Sequence, residues 1–321
     1  MNAKIIGTGC QLPVYEADNE YLSTLVETSD EWITERTGIK KRRLVREETT
    51  TSLAAGAAEK ALADAGMTAE EVDLLIVATI SSDTETPSTA CRVQAELGAV
   101  HAVAFDINAA CSGFLYALHI ADAFIKSGIY KNALLIGAET LSKLVDWSDR
   151  STCVLFGDGA GAAVVTAAGE GGMLAESIGS NGKKWEVLFC KGRSNHNPVC
   201  QEKEETAFLQ MDGQEVFKFA LKTVPLCIED VLKKAHLSAG EVTYFLLHQA
   251  NRRIIQSVAK RLKQPEEKFP MNIDQCANTS AASLPILLAQ MKEQGRLHRG
   301  DKLVLSGFGA GLTWGACVLE W

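Results

Sequence analysis

A cysteine, a histidine and an asparagine, far apart in the chain, each stand where an apolar run gives way to small residues. The first lies in Asp106-Ile107-Asn108-Ala109-Ala110-Cys111-Ser112-Gly113-Phe114. A strand ends there, a tight turn follows, and a helix begins at or just after Cys111. An unperturbed thiol, with a pKa of about 8.5, is only about 3% thiolate at pH 7. The positive end of the following helix favours the anion by roughly 0.3–1 kcal/mol, less than one pKa unit. Stronger activation needs a neighbouring imidazole or a more favourable buried geometry. Cysteine is also among the residues most often buried for packing alone. The turn by itself leaves Cys111 open between core residue and nucleophile.

His248-Gln249-Ala250-Asn251 closes the apolar run 242–247. A histidine there is either a satisfied core residue or a donor aimed at a developing negative charge. Asn278 lies in Cys276-Ala277-Asn278-Thr279-Ser280-Ala281-Ala282-Ser283, another turn of small residues before a helix. Asparagine commonly occupies such a turn for backbone reasons. Gly307-Phe308-Gly309-Ala310-Gly311-Leu312 follows the apolar run 302–306. Glycines let backbone N–H groups approach a substrate oxygen closely, which suits an oxyanion hole.

Strands and helices alternate along the chain that must position these groups. Residues 72–79, 102–107 and 133–137 read as short apolar strands. Residues 52–65 read as an Ala-rich helix, and 113–126 as a helix apolar nearly all round. A helix of the second kind is buried between other layers, which implies α/β architecture with sheets covered on both faces. The second half repeats the first. Residues 61–72 match 231–242 at an offset of 170, with Leu, Ala, Ala, Glu and Val coinciding. Residues 111–128 match 278–295 at an offset of 167, which sets Cys111 and Asn278 at equivalent positions. Two windows at nearly one offset argue for duplication. The boundary is placed where Gly169-Glu170-Gly171-Gly172 breaks the pattern, giving halves 1–170 and 171–321. Strand ends on one edge of an α/β sheet are where such proteins place their sites.

The chain has 321 residues, 46% hydrophobic and 22% charged, the balance of a globular protein. A formal charge of −8 makes a general nucleic-acid-binding surface a poor expectation. The opening residues lack the apolar core and cleavage site of a signal peptide, and no apolar run approaches the roughly 18 residues of a membrane span. Nine scattered cysteines with no C-x-x-C pair point to reduced thiols in the cytoplasm, not to disulfides or a metal site.

Ala109-Ala110-Cys111-Ser112-Gly113-Phe114, His248-Gln249-Ala250-Asn251, Asn278-Thr279-Ser280-Ala281-Ala282-Ser283 and Gly309-Ala310-Gly311-Leu312-Thr313-Trp314-Gly315 together resemble the β-ketoacyl-acyl-carrier-protein synthase III family. The resemblance runs nearly end to end. It includes Gly7-Thr8-Gly9, Thr28-Ser29-Asp30-Glu31-Trp32-Ile33 with Arg36-Thr37-Gly38-Ile39, and Gly157-Asp158-Gly159-Ala160-Gly161. It implies a duplicated thiolase-like α/β fold, five-layered α-β-α-β-α, in a homodimer. By resemblance, Cys111 takes an acyl group from acyl-coenzyme A, which is a substrate and not a cofactor. His248 and Asn278 then hydrogen-bond the thioester of malonyl-acyl-carrier protein and stabilise the enolate formed on decarboxylation. The backbone N–H groups of Cys111 and Ala310 hold the oxyanion. Trp32 and Arg150 flank the coenzyme A adenine, and Thr28, Arg36, Phe217 and Asn251 line its channel.

Two positions depart from the family, which often has glycine where Ala277 stands and Gly-Gly-Gly where this chain has Gly309-Ala310-Gly311. Thr86 matches a dimer-interface residue at the floor of the acyl pocket, which is phenylalanine in acetyl-restricted members. A smaller residue there admits a longer or branched primer. Lys218, Arg252, Arg253, Lys260 and Arg261 form a basic set beside two expected helices. In an acidic chain such a set suits an acidic carrier protein, although a solvated helix face is the ordinary reading. The rival readings are a synthase III-like acyltransferase of secondary metabolism and, from another class, a Cys-His-Asn thiol hydrolase.

Overall fold

A computed structural model describes residues 2–201 and 207–321. Its frame is two sheets with the same strand plan. In the first, the order is Asn2–Gln11, Gly159–Ala168, Asn132–Glu139, Leu74–Ala78 and Val103–Ile107. In the second it is Gly172–Ser180, Thr313–Glu320, Lys302–Gly309 and Tyr244–Leu247. Leu74–Ala78 runs parallel to Asn132–Glu139, as Tyr244–Leu247 does to Lys302–Gly309. The remaining pairs of the shared plan are antiparallel in both sheets. The first sheet alone carries the extra edge strand Val103–Ile107.

The alternation of a strand explains why helices cover both faces. Leu74 and Ile76 point to one side, where they pack on Phe114 and Leu118 of the helix Gly113–Lys126 and share a core with Leu284 and Leu288 of Ser283–Glu293. Leu75 and Val77 point to the other, against Leu53, Ala57 and Ala61 of Thr50–Ala65. On the second sheet, Phe245 and Leu247 pack against Gly213–Lys234 and Arg252–Arg261. The layers are therefore helix, sheet, paired helices, sheet, helix. That is the five-layered α/β arrangement.

The offset between the copies needs one correction. Strand Leu74–Ala78 corresponds to Tyr244–Leu247, strand Asn132–Glu139 to Lys302–Gly309, and the helix starts Gly113 and Ser283 to each other, all at 170. The offset of 167 holds only at the helix ends, because Gly113–Lys126 has 14 residues and Ser283–Glu293 has 11. Gly128 and Gly295, both at positive φ, mark those ends. Cys111 thus stands opposite Ala281, and Asn278 opposite Asn108. The turns agree: Ala110 and Ser280 have φ of 47° and 48°, and their N–H groups donate to Asn108 Oδ1 and Asn278 Oδ1. Similarity between two amphipathic helices had drawn the sequence match to the wrong end.

Candidate active site

Cys111 is buried in a single 3₁₀ turn, Ala110–Ser112, that runs directly into the helix Gly113–Lys126. Ala110 takes a left-handed φ of 47°, so the chain reverses sharply just before the thiol. The strand end Gly309 lies against it. A Cβ at Gly309 would sit 2.7 Å from Cys111 N and 3.0 Å from Cys111 Cβ. Only glycine leaves room there. The Thr313 hydroxyl lies 3.0 Å from the carbonyls of both Ala109 and Ala310, pinning the two turns together.

His248 follows Tyr244–Leu247, and its backbone N–H donates to Ser306 O at 2.8 Å. The ring is buried edge-on to Phe308, with Nδ1 2.6 Å from Ser283 Oγ. Asn278 is held by main chain. It donates to Leu155 O and accepts from Gly157 N, both at 3.0 Å. Its Oδ1 accepts from Ser280 N at 2.9 Å, which leaves the Nδ2 hydrogens for the pocket. The preceding Ala277 has φ 56° and ψ −159°, a conformation that favours glycine and costs of order 1–3 kcal/mol in any other residue. The departure at Ala277 thus keeps the turn and carries strain.

Cys111, His248 and Asn278 line one pocket of about 210 Å³, together with Leu155, Phe217 and Asn251. On its other side Cys111 borders a small apolar cavity of about 50 Å³, lined by Ile80, Leu141, Phe156, Leu188, Phe189 and Leu209 among others. Leu188–Cys190 and Leu209–Met211 pair as a small ribbon that forms one wall of this cavity. Burial pushes the Cys111 thiol up to about 12, with the Glu139 carboxylate adding to the rise and the Ser280 hydroxyl opposing it. Burial also pushes His248 down to about 3. At neutral pH the resting pair is therefore thiol and neutral imidazole, not thiolate and imidazolium. The helix dipole alone is too weak to reverse that.

A neutral imidazole whose Nδ1 accepts from Ser283 presents Nε2–H as a donor. Ser283 is thus a positioning residue, and it was legible only as a helix start. Replacing it by alanine removes the bond that fixes this tautomer. Ser283→Ala should slow any step needing the His248 donor about tenfold, as for one net hydrogen bond, with uptake of an acyl group at Cys111 nearly normal. An unchanged rate in that step would show the tautomer to be set elsewhere.

The remaining residues fall into three places. Phe217 and Asn251 line the Cys111 pocket, and Asn251 Nδ2 donates to Arg36 O at 3.0 Å. The guanidinium groups of Arg36 and Arg150 lie 4.5 Å and 4.9 Å from the centre of the Trp32 ring. Arg150 also donates to Glu27 O, next to Thr28, whose buried hydroxyl has no hydrogen-bond partner. Thr86 is not brought to either cavity within one chain. It is exposed, in a loop beside Glu85 and Arg193. The basic set is divided. Lys218 is paired with Glu215 at 3.0 Å, and Arg252 is half-buried and donates to Gly38 O at 3.3 Å. Arg253, Lys260 and Arg261 are exposed, with Arg253 over the Phe217 ring at the pocket. Among the described residues, no helix is long and apolar enough to cross a membrane.

Comparison with known proteins places this geometry. Residues 105–182 match the family model for 3-oxoacyl-[acyl-carrier-protein] synthase III, and residues 232–321 match that for its C-terminal part. A β-ketoacyl-[acyl-carrier-protein] synthase III of Clostridium tetani is 49% identical, covering 99% of this chain and 98% of that protein. One from Clostridium acetobutylicum is 46% identical over 100% and 99%. The crystal structure of the Aquifex aeolicus synthase III superposes with a TM-score of 0.93 at 49% identity, covering 99% of this chain and 100% of that one. The priming ketosynthase of the R1128 polyketide pathway superposes equally well, 0.93, at 33% identity over 99% and 96%. A papain-like hydrolase has no place in this fold. The chain belongs to the β-ketoacyl-[acyl-carrier-protein] synthase III family, the acyl-transferring condensing enzymes with the thiolase-like fold.

Proposed function

We propose that the chain initiates fatty acid synthesis by a decarboxylative Claisen condensation. An acyl primer from acyl-coenzyme A is carried on Cys111 and joined to the malonyl unit of malonyl-acyl-carrier protein. The observation that carries this reading is the position of Cys111 between two spaces of opposite character. One is a mouth where His248 and Asn278 present neutral donors. The other is a small apolar cavity that suits a short acyl chain. Neutral donors favour an enolate oxygen over a carboxylate already charged in the ground state. The backbone N–H groups of Cys111 and Ala310 hold the oxyanion of acyl transfer.

The Trp32 ring, with Arg150 and Arg36 beside it and Asn251 bonded to Arg36, supports an entry for the coenzyme, its adenine flanked by the indole and Arg150. Thr28, Phe217 and Asn251 line the way inward. Arg253, with Lys260 and Arg261 on the same helix, supports docking of an acidic carrier protein at the mouth. Arg252 and Lys218 hold the protein's own groups and contribute less. Thr86 would reach the primer cavity only across a homodimer, which we include in the proposal together with a cytoplasmic location. Relatives carrying the synthase III name at 46–49% identity favour primary over secondary metabolism.

The test is mass spectrometry of the protein and its products. Acyl-coenzyme A alone should add one acyl group per chain. Malonyl-carrier protein should then discharge it as β-ketoacyl-carrier protein with carbon dioxide. Free acid released without malonyl consumption would instead make the chain a hydrolase. In the same assay Arg253→Glu should raise the KM for malonyl-carrier protein and flatten its salt dependence, with acylation nearly unchanged. Equal losses in both half-reactions would remove Arg253 from docking.

A further inference from the structure

Behind Cys111 lies a carboxyl group that neither half-reaction has yet employed. Glu139 ends the strand Asn132–Glu139 and is fully buried. Its Oε2 accepts from Ser81 Oγ at 2.5 Å, from Ile80 N at 3.1 Å and from Thr79 Oγ1 at 3.3 Å. Its Oε1 has no hydrogen-bond partner, and neither does the Ser280 hydroxyl. Two orphaned polar atoms in one buried place are costly unless something is exchanged there. Ser280 lines the cavity beside Cys111 and is 1% exposed. It lies close enough to act on both the thiol and the carboxyl, yet forms an aligned bond to neither at rest. Thiol, hydroxyl and carboxyl thus stand in series.

We propose that Glu139, acting through Ser280, receives the Cys111 proton during acylation and returns it during condensation. The inference rests on the synthase reading above. In the first half-reaction Cys111 sulfur bonds the acyl carbon as the bond from that carbon to the coenzyme sulfur breaks. The thiol proton passes to Ser280 Oγ while the Ser280 proton passes to the Glu139 carboxylate. The coenzyme leaves as thiolate and takes a proton from solvent. In the second, the malonyl carbon loses carbon dioxide and attacks the acyl group, and Cys111 departs as thiolate. Glu139 then gives its proton back through Ser280. One solvent proton is consumed per cycle, and no other reactant is needed.

The surroundings suit a group that holds a proton for part of each turnover. Burial raises the Glu139 pKa to about 7, against the hydrogen bonds that favour its anion. The titratable groups facing it are Cys111 and Lys143, whose ammonium is shared with Asp83 and Asp158; His248 lines the mouth beyond Cys111. His248, protonated only near pH 3, is a poor acceptor for this proton. At the corresponding place in the second sheet stands Gly309, so that copy supplies no competing carboxyl.

The experiment measures single-turnover acylation by acyl-coenzyme A across pH 5–9 in wild type, Glu139→Gln and Ser280→Ala. Iodoacetamide alkylation of Cys111 and malonyl decarboxylation are followed in parallel. Wild-type acylation should rise with pH through about 7, as the carboxyl loses its proton. Both variants should acylate on the order of 100-fold more slowly and lose that rise, and the double variant should be no worse than either. Decarboxylation should hold. If Glu139 acted only through its negative field, Gln would lower the thiol pKa and speed both acylation and alkylation. Faster or unchanged acylation in Glu139→Gln overturns the relay, as does an equal loss of decarboxylation. Should Glu139→Gln fail to fold, Ser280→Ala alone decides it by the same criteria. A wild type that takes up no acyl group would refute the synthase reading instead.

Discussion

Cys111→Ala should take up no acyl group from acyl-coenzyme A, yet still release carbon dioxide from malonyl-carrier protein. Among the described residues the thiol is the one nucleophile lining both cavities, so its loss removes covalent catalysis altogether. Decarboxylation draws on a different set of atoms. The His248 backbone is fixed by Ser306 and its ring by Ser283, and the Asn278 backbone by Leu155 and Gly157. Protein mass after incubation with acyl-coenzyme A checks the first half, and carbon dioxide release checks the second. A label on the Cys111→Ala protein would move the nucleophile elsewhere.

The reverse pattern belongs to His248→Ala and Asn278→Ala. Each should lose malonyl decarboxylation by two orders of magnitude or more, the effect of deleting one preorganised oxyanion donor. Cys111 should still accept its acyl group in both. Burial holds His248 neutral down to about pH 3, so its contribution to decarboxylation should stay flat between pH 5 and 8. A donor that had to be an imidazolium would fade as pH rose through its pKa, the opposite sign. Carbon dioxide release at several pH values separates the two. Full release from either variant would exclude that residue. The same burial has a cost in stability. The unfolded imidazole takes up a proton below about pH 6.5 and the folded one does not, so stability falls as pH drops through that window toward 3.

The site was legible where side-chain type and backbone geometry agree. Small residues at 109–113 and 277–283 mark turns that glycine-like dihedrals require, and Ala110, Ala277 and Ser280 adopt them. The apolar runs before Cys111 and His248 are the half-buried edge strand Val103–Ile107 and the buried strand Tyr244–Leu247. Ser280, Ser283 and Glu139 were not assigned a task, because their roles depend on contacts between segments far apart in the chain. A serine at a helix start reads as a cap until the partner histidine is in place. The ribbon Leu188–Cys190 with Leu209–Met211 has no periodicity long enough to announce it. The thiol's resting state was left open for a physical reason. A helix end can be read from sequence, but burial that outweighs it cannot.

At two glycines the contact between the two copies is backbone against backbone. A Cβ at Gly137 would sit 2.3 Å from Ala281 O, and one at Gly161 2.4 Å from Ile286 N. Side chains elsewhere can change one at a time, each absorbed by its neighbours. Here no mutation to a larger residue is absorbed by repacking, because main chain cannot step aside. Divergence of the copies was therefore channelled. Equivalent positions carry different residues, Cys111 against Ala281 and His248 against Ala78, while Gly137 and Gly161 hold the seam. Such a seam lets a gene duplicate exchange its chemistry without losing the ångström-scale alignment on which a shared reaction centre depends.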